Sequence, residues 1–431
     1  MRESMNEEQT YVKTVLDNGI RVITEQVPNV RSAAIGLWVG VGSSHEEPPL
    51  RGISHLIEHM LFKGTPARSA RQIAETMDSV GGNLNAFTDK EVTCYHGRIV
   101  DAHVNLAFEL LSDMFRHAKF DPTDLRNEQQ VILEEIRMYD DSPDEVSQDL
   151  FLRTVWAGSS LGEPTIGYAD TVSGITRDSI KAYMRQRYTP DRVVVTGAGS
   201  LDHAAFVKLV NEFLGQMEGK FEGTEPSPPQ FRPAIAGKNK DCEQVYLLVG
   251  AEGTSASDER RYPLSVLDAI LGGGMASRLF QEIREKRGLV YSVYSSHNAY
   301  RNGGIFSISA STSPKNSKEV LSLIRAELTR LIEDGVSADE LHRAKEHIKG
   351  SLLLSLESTS TRMIRLGRSE LNIGRYVPTA ELTARIDAVT KEEVDEMARQ
   401  IFSPQRLALT VLGPVDPQAV AGAFEPLAES A

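Results

Sequence analysis

The chain has 431 residues, 60 acidic against 47 basic, for a net charge of −13, and only two cysteines, Cys94 and Cys242. That length exceeds one compact core and predicts two domains or more, and the acidic balance argues against nucleic acid as a partner. Two distant cysteines make neither a disulfide framework nor a CxxC metal site, which suits a reducing compartment.

The opening residues MRESMNEEQT are polar and acidic, unlike a signal or transit peptide, and read as a disordered tail over 1–10. No run approaches the ~18 apolar residues of a membrane span. A cytoplasmic protein without membrane contact is expected. The stretch YVKTVLDNGIRVITEQV predicts a hairpin turning at Asp17-Asn18-Gly19, and SAAIGLWVGVGS a buried strand. GISHLIEHMLFKGT then begins a helix, with Ser54 as its cap, and SARQIAETMDSVGG a second one stopped by Gly81 and Gly82. NLNAFTDKEVTCYHGRI is strand-rich, VNLAFELLSDMFRHA helical, and DPTDLRNEQQVILEEIRMYDDSP a long helix ending before Pro143. DRVVVTGAGS closes the first half as a strand.

Residues 222–240, EGTEPSPPQFRPAIAGKNK, are rich in Pro, Gly and Ser and predict a linker between domains 11–221 and 241–431. The second half echoes the first. EQVYLLVGAEG, GGIFSISAST and RLALTVLG read as strands and YPLSVLDAIL as a helix. VSADELHRAKEHIKGSL aligns with FDPTDLRNEQQVILEEI at an offset of 216, Leu125 with Leu341. A duplication of about 210 residues per copy follows. The expected fold class is α+β: two homologous units, each a mostly antiparallel sheet with helices packed on one face.

Chemistry concentrates in the first copy. On a helix, His55, Glu58 and His59 at i, i+3 and i+4 project from one side. Leaving three such groups unpaired in an apolar run would cost several kcal/mol each. Two imidazoles one turn apart can grip one Zn2+, and the glutamate between them is free to take a proton from water, the inverse of the commoner zinc protease motif. The long helix offers Glu128, Glu134 and Glu135 as further ligands. Glu128 and Glu135, seven apart, lie about 20° from each other on the side of Val131, whereas Glu134 points about 100° away. In the second copy the matching positions are Ala344 and Ser351, and YPLSVLDAIL has no histidine. The sequence GSSLG at 158–162 fits G-x-S-x-G, but Glu163-Pro164-Thr165 follows instead of a helix, so Ser160 is not read as a nucleophile.

With these residues in place, the chain resembles the M16 metallopeptidases, and in length and two-copy build the bacterial processing-protease-like M16B subgroup. The resemblance covers all but the N-terminal tail. In that family a glutamate ligand follows the second histidine by about 76 positions, which is Glu135 here, and a supporting glutamate stands seven earlier, which is Glu128. It implies one Zn2+ per chain on His55, His59 and Glu135, Glu58 as general base, and cleavage of unfolded or flexible peptides inside a closed clamshell chamber. GGNLNAFTDKEVT resembles the family's edge strand, where Asn85 and Ala86 would hold substrate as an added strand. RLFQEIREKRGLVYSVYSS resembles the segment whose Arg and Tyr hold substrate and polarise the scissile carbonyl, here Arg284 and Tyr291. Without the family, Arg284 is a solvated helix charge and Tyr291 a core aromatic. LGGGMASRLF resembles a shortened glycine-rich loop, and Gly272 to Gly274 make no phosphate loop because no G-K-[ST] follows. A homodimer is implied, or a heterodimer with a related chain, in which Arg284 and Tyr291 serve the partner's metal. Two other readings share the fold: a noncatalytic scaffold or assembly subunit, and a peptide-binding chaperone.

Overall fold

A computed structural model describes residues 11–424; the tail expected over 1–10 lies outside them. Eleven strands among the described residues form two sheets. The hairpin turning at Gly19 (φ 96°) joins β1 (Tyr11–Val15) to β2 (Arg21–Gln26) in register Tyr11↔Glu25 to Val15↔Arg21. With β3 (Ser32–Val39), β4 (Asn83–Thr88), β5 (Thr93–Val100) and β6 (Val193–Gly199) they form a six-stranded sheet, ordered β1-β2-β6-β3-β5-β4. The second sheet holds β7 (Ile235–Asn239), β8 (Val245–Glu252), β9 (Val290–Ala299), β10 (Gly304–Thr312) and β11 (Ala408–Gly413), ordered β7-β11-β8-β10-β9. Both are antiparallel except for one pair each, β2 with β6 and β7 with β11. Read in order, β2-β6-β3-β5-β4 repeats as β7-β11-β8-β10-β9, which is the duplication seen as topology.

The helices in chain order are α1 (Ile53–Leu61), α2 (Ala70–Asp78), α3 (Val104–His117), α4 (Pro122–Asp141), α5 (Pro143–Val155), α6 (Ala169–Gly174), α7 (Arg177–Arg187), α8 (His203–Leu214), α9 (Arg261–Leu271), α10 (Ser317–Asp334), α11 (Ala338–Ser355) and α12 (Thr359–Ile373), followed by shorter ones. α11 begins 216 residues after α4, and α12 begins 216 after α5. In the first unit α1, α3 and α8 bury Leu56, Phe108 and Val210 against one face of the sheet, with Ile35, Leu37 and Val195. The second sheet is covered likewise on one face by α9 and α10.

The compact units are not the two contiguous halves. Among the described residues the first comprises 11–136, 164–226 and 354–378, and the second 137–163, 227–353 and 379–424. The counterpart helices α5 and α12 have been exchanged. α12 lays Met363 and Leu366 over the opposite face of the first sheet, on Ala34, Trp38 and Val194. α5 lays Phe151 and Val155 over that of the second, on Leu248 and Ala408. Each sheet therefore has helices on both faces, one face carrying a single helix from the other half of the sequence. Its approach is close: a Cβ on Gly367 of α12 would stand 2.2 Å from the Trp38 ring.

The segment expected as linker over 222–240 is partly structural. The middle stretch of the first unit ends at Pro226, and Ile235–Asn239 is strand β7. An edge strand with one neighbour and one solvated side shows no alternation, so its Pro- and Gly-rich surroundings dominated the sequence signal. No helix among the described residues is long and apolar enough to cross a membrane.

Candidate metal centre

α1 forms because Ile53, Leu56, Ile57, Met60 and Leu61 recur at helical spacing and are buried in the first core. The remaining side carries His55, Glu58 and His59, all partly exposed. Its N-cap is Gly52 at φ 93°, a conformation that favours glycine. Ser54, expected as the cap, lies inside the helix, and its hydroxyl shares a 3.0 Å hydrogen bond with Tyr183 of α7. α4 is anchored by the buried Leu125 and Ile132, while the Gln129 amide donates to Val172 O and Ile175 O at 2.8 and 3.0 Å. That setting turns Glu128 and Glu135 toward α1. Val131, expected on their side, is 43% exposed, and Glu134 is exposed.

One ligand atom each from His55, His59 and Glu135 lies within 4.8 Å of the others, the sole such His, Cys, Asp or Glu cluster among the described residues. His55 Nε2 is 3.9 Å from one Glu135 oxygen, and His59 Nε2 is 3.9 Å from the other. Both gaps exceed hydrogen-bond reach, and a cation with ligands at about 2.0–2.2 Å bridges gaps of that order. Burial, with His59 adding to it, drops the His55 pKa to about 4. That ring is neutral at neutral pH, so its approach to Glu135 is not an ion pair and its lone pair is available. His55 Nδ1 is buried without a hydrogen-bond partner. His59 differs: its Nδ1 stands 3.0 Å from Glu128 Oε2, and a proton held there leaves Nε2 facing Glu135. Lys63 Nζ, 2.6 Å from the other Glu128 oxygen, holds that buried carboxylate in place. The residues fit a divalent cation.

Glu58 belongs to neither ligand group. Burial raises its pKa, opposed first by the Thr88 hydroxyl, which donates to Oε2 at 2.6 Å, and then by His59. Thr88 ends β4, the edge strand that carries Asn85 and Ala86. β4 pairs with β5 alone among the described residues. The Ala86 N–H donates to Asn85 Oδ1 at 2.8 Å, not to a strand carbonyl. The unpaired edge of β4 thus lies beside Glu58.

Arg284 and Tyr291 lie in the second unit. Arg284 is in a π-helical turn, Phe280–Glu285, stacked over the Phe280 ring at 4.8 Å. Tyr291 is the second residue of β9 and is 76% exposed, so it is not a core aromatic. Ser160 sits in a short 3-10 turn, Ser160–Gly162, and not at a strand-to-helix elbow. Lys63 and Thr88 have no role in the sequence reading. Thr88 stands within the Asn-Ala-x-Thr run, but its partner Glu58 is thirty residues away, and only the folded chain pairs them.

Residues 21–168 match the family profile described as insulinase (peptidase family M16), and residues 174–348 the profile described as the peptidase M16 inactive domain. The uncharacterized zinc protease YmxG of Bacillus subtilis is 43% identical over 397 residues, spanning 92% of this chain and 97% of its own. An uncharacterized zinc protease of Mycobacterium leprae is 41% identical, spanning 93% and 91%. Among solved structures, a protease from Helicobacter pylori superposes with a TM-score of 0.88 at 21% identity, covering 93% of this chain and 99% of that one. A structure titled as a peptidase M16 inactive domain from Pseudomonas fluorescens gives 0.87 at 20% identity, covering 94% and 98%. The two-sheet fold, the two adjoining profile matches and relatives this similar along nearly their whole length establish that the chain belongs to peptidase family M16.

Proposed function

We propose that the chain is a zinc-dependent endopeptidase acting on unfolded or flexible peptides. His55, His59 and Glu135 hold the metal, and Glu128 aims the His59 ring. The observation that carries this reading is the convergence of two imidazoles and the Glu135 carboxylate beside a half-buried carboxylate, Glu58, that is not among them. The names of the relatives, zinc proteases, support the choice of metal. When bound, Zn2+ supplies a Lewis acid that acidifies water and polarises a peptide carbonyl.

The chain's own residues do the rest. The open edge of β4 takes the substrate as an added strand through main-chain hydrogen bonds, with Asn85 and Ala86 at the contact, so selection by side chain is weak. Glu58 accepts the proton of the attacking water at Oε1, the oxygen Thr88 does not engage, and delivers it to the nitrogen of the breaking C–N bond. In the same proposal the molecule is a homodimer enclosing the peptide, with the exposed Arg284 and Tyr291 contacting substrate.

A quenched fluorescent peptide tests the reading. Hydrolysis should vanish on chelation and return with added zinc. Peptide binding without cleavage by the zinc-loaded protein would instead support a scaffold or chaperone role.

A second experiment addresses the base. Thr88→Val removes the bond that favours the charged form of Glu58, so the folded-state pKa, already raised by burial, rises further. Glu58 must be ionised to work, so the acid limb of kcat/KM should move to higher pH. An unchanged limb would separate Thr88 from the base.

A further inference from the structure

α1 starts without a local side-chain cap, because Gly52 has none to offer. The first amides of a helix have no partner within it and need one elsewhere. Here Gly52 N–H and Ser54 N–H donate to the two oxygens of a single carboxylate, Glu46, at 2.7 and 2.8 Å. Glu46 follows the short 3-10 turn Ser43–His45 and is 6% exposed. Burial pushes its pKa up to about 7, against the pull of those two amides. A carboxylate kept in so unfavourable a place is held by what it binds.

The two histidines of α1 are aimed differently. Glu128 holds His59 through Nδ1, whereas the buried Nδ1 of His55 has no hydrogen-bond partner. The aim of His55 therefore depends on the backbone that carries it. That backbone is pinned one residue earlier, at Ser54, by Glu46 on the amide and Tyr183 on the hydroxyl.

We propose that Glu46 is a positioning residue for the metal-binding helix: its two-pronged grip on the Gly52 and Ser54 amides sets the depth and roll of the first turn, and so where His55 presents its ring. The inference rests on the reading of His55, His59 and Glu135 as zinc ligands. A carboxylate suits the task, because it offers one acceptor to each amide and places negative charge at the positive end of the helix. Glutamine supplies one acceptor and turns an NH2 toward the other amide. Alanine leaves both amides unpaired.

The test measures zinc affinity of the full chain by competition with a chromophoric chelator, alongside kcat and KM at saturating zinc. Glu46→Gln should weaken zinc about 10-fold and Glu46→Ala up to about 100-fold, the range for partners that orient metal ligands. At saturating zinc kcat should fall while KM, set by the β4 edge, stays. Ser69→Ala is the control, since it removes the cap of α2, where Ser69 accepts from Gln72 N–H. It should lower thermal stability and leave zinc affinity unchanged. Should Glu46→Ala not fold, Glu46→Gln decides. A folded Glu46→Gln with wild-type zinc affinity overturns the proposal, as does Ser69→Ala weakening zinc equally. If the wild type binds no more zinc than His59→Ala, the metal reading itself has failed instead.

Discussion

Glu58→Gln is expected to lower kcat by about 10²–10⁴-fold, the contribution of a positioned general base, with zinc still bound. The amide keeps the size of the side chain and an oxygen for the Thr88 hydroxyl, which donates at 2.6 Å in the native chain. It cannot take a proton from water. The three groups that meet at the proposed metal position are His55, His59 and Glu135, so the substitution leaves them untouched. Metal content and turnover should therefore part company, and steady-state kinetics beside atomic absorption read both. Normal turnover would remove Glu58 from the mechanism. A simultaneous loss of zinc would make it a ligand.

Glu135→Ala should do the opposite and abolish stoichiometric zinc together with hydrolysis, removing the several kcal/mol that a Lewis acid contributes to the transition state. Its neighbour supplies the contrast. Glu134 is exposed, about 100° around α4, and Glu134→Ala should bind zinc normally, with stability within about 0.5 kcal/mol of the native chain. Thermal unfolding gives an independent readout. Zinc at 100 times its Kd stabilises a single-site protein by about 2.7 kcal/mol, and Glu135→Ala should show no such gain. Equal losses in the two variants would mean that the helix, and not the carboxylate, carries the effect.

What was legible in the sequence is what local periodicity determines. The i, i+3, i+4 spacing places His55, Glu58 and His59 on one side of α1 because helix geometry leaves no other arrangement. The seven-residue spacing of Glu128 and Glu135 likewise survives as a shared side of α4. The offset of 216 that pairs Leu125 with Leu341 reappears as the start points of α4 and α11. The spacing of Glu135 from His59 pointed to a ligand only through the family resemblance; the fold then brings the Glu135 oxygens to 3.9 Å from both rings.

What stayed hidden depends on contacts between distant segments. Nothing local in PDEVSQDLFLRTV or TSTRMIRLGRSELNI says that each covers the sheet of the other half, since an amphipathic face does not name its partner. Ser54 looked like a cap because serine usually is one, yet the cap is delivered from Glu46, six residues before Gly52. Val131 shared the angular position of the glutamates but not their burial. The strand Ile235–Asn239 was masked by the Pro- and Gly-rich composition around it.

The central claim is that one divalent cation binds where α1 meets α4. Diffraction from crystals of the zinc-loaded chain, collected on both sides of the zinc absorption edge, tests it most directly. The account predicts one strong anomalous peak per chain, within ligand distance of His55 Nε2, His59 Nε2 and a Glu135 oxygen. Density lacking at that position, or a peak held by other residues, would contradict it.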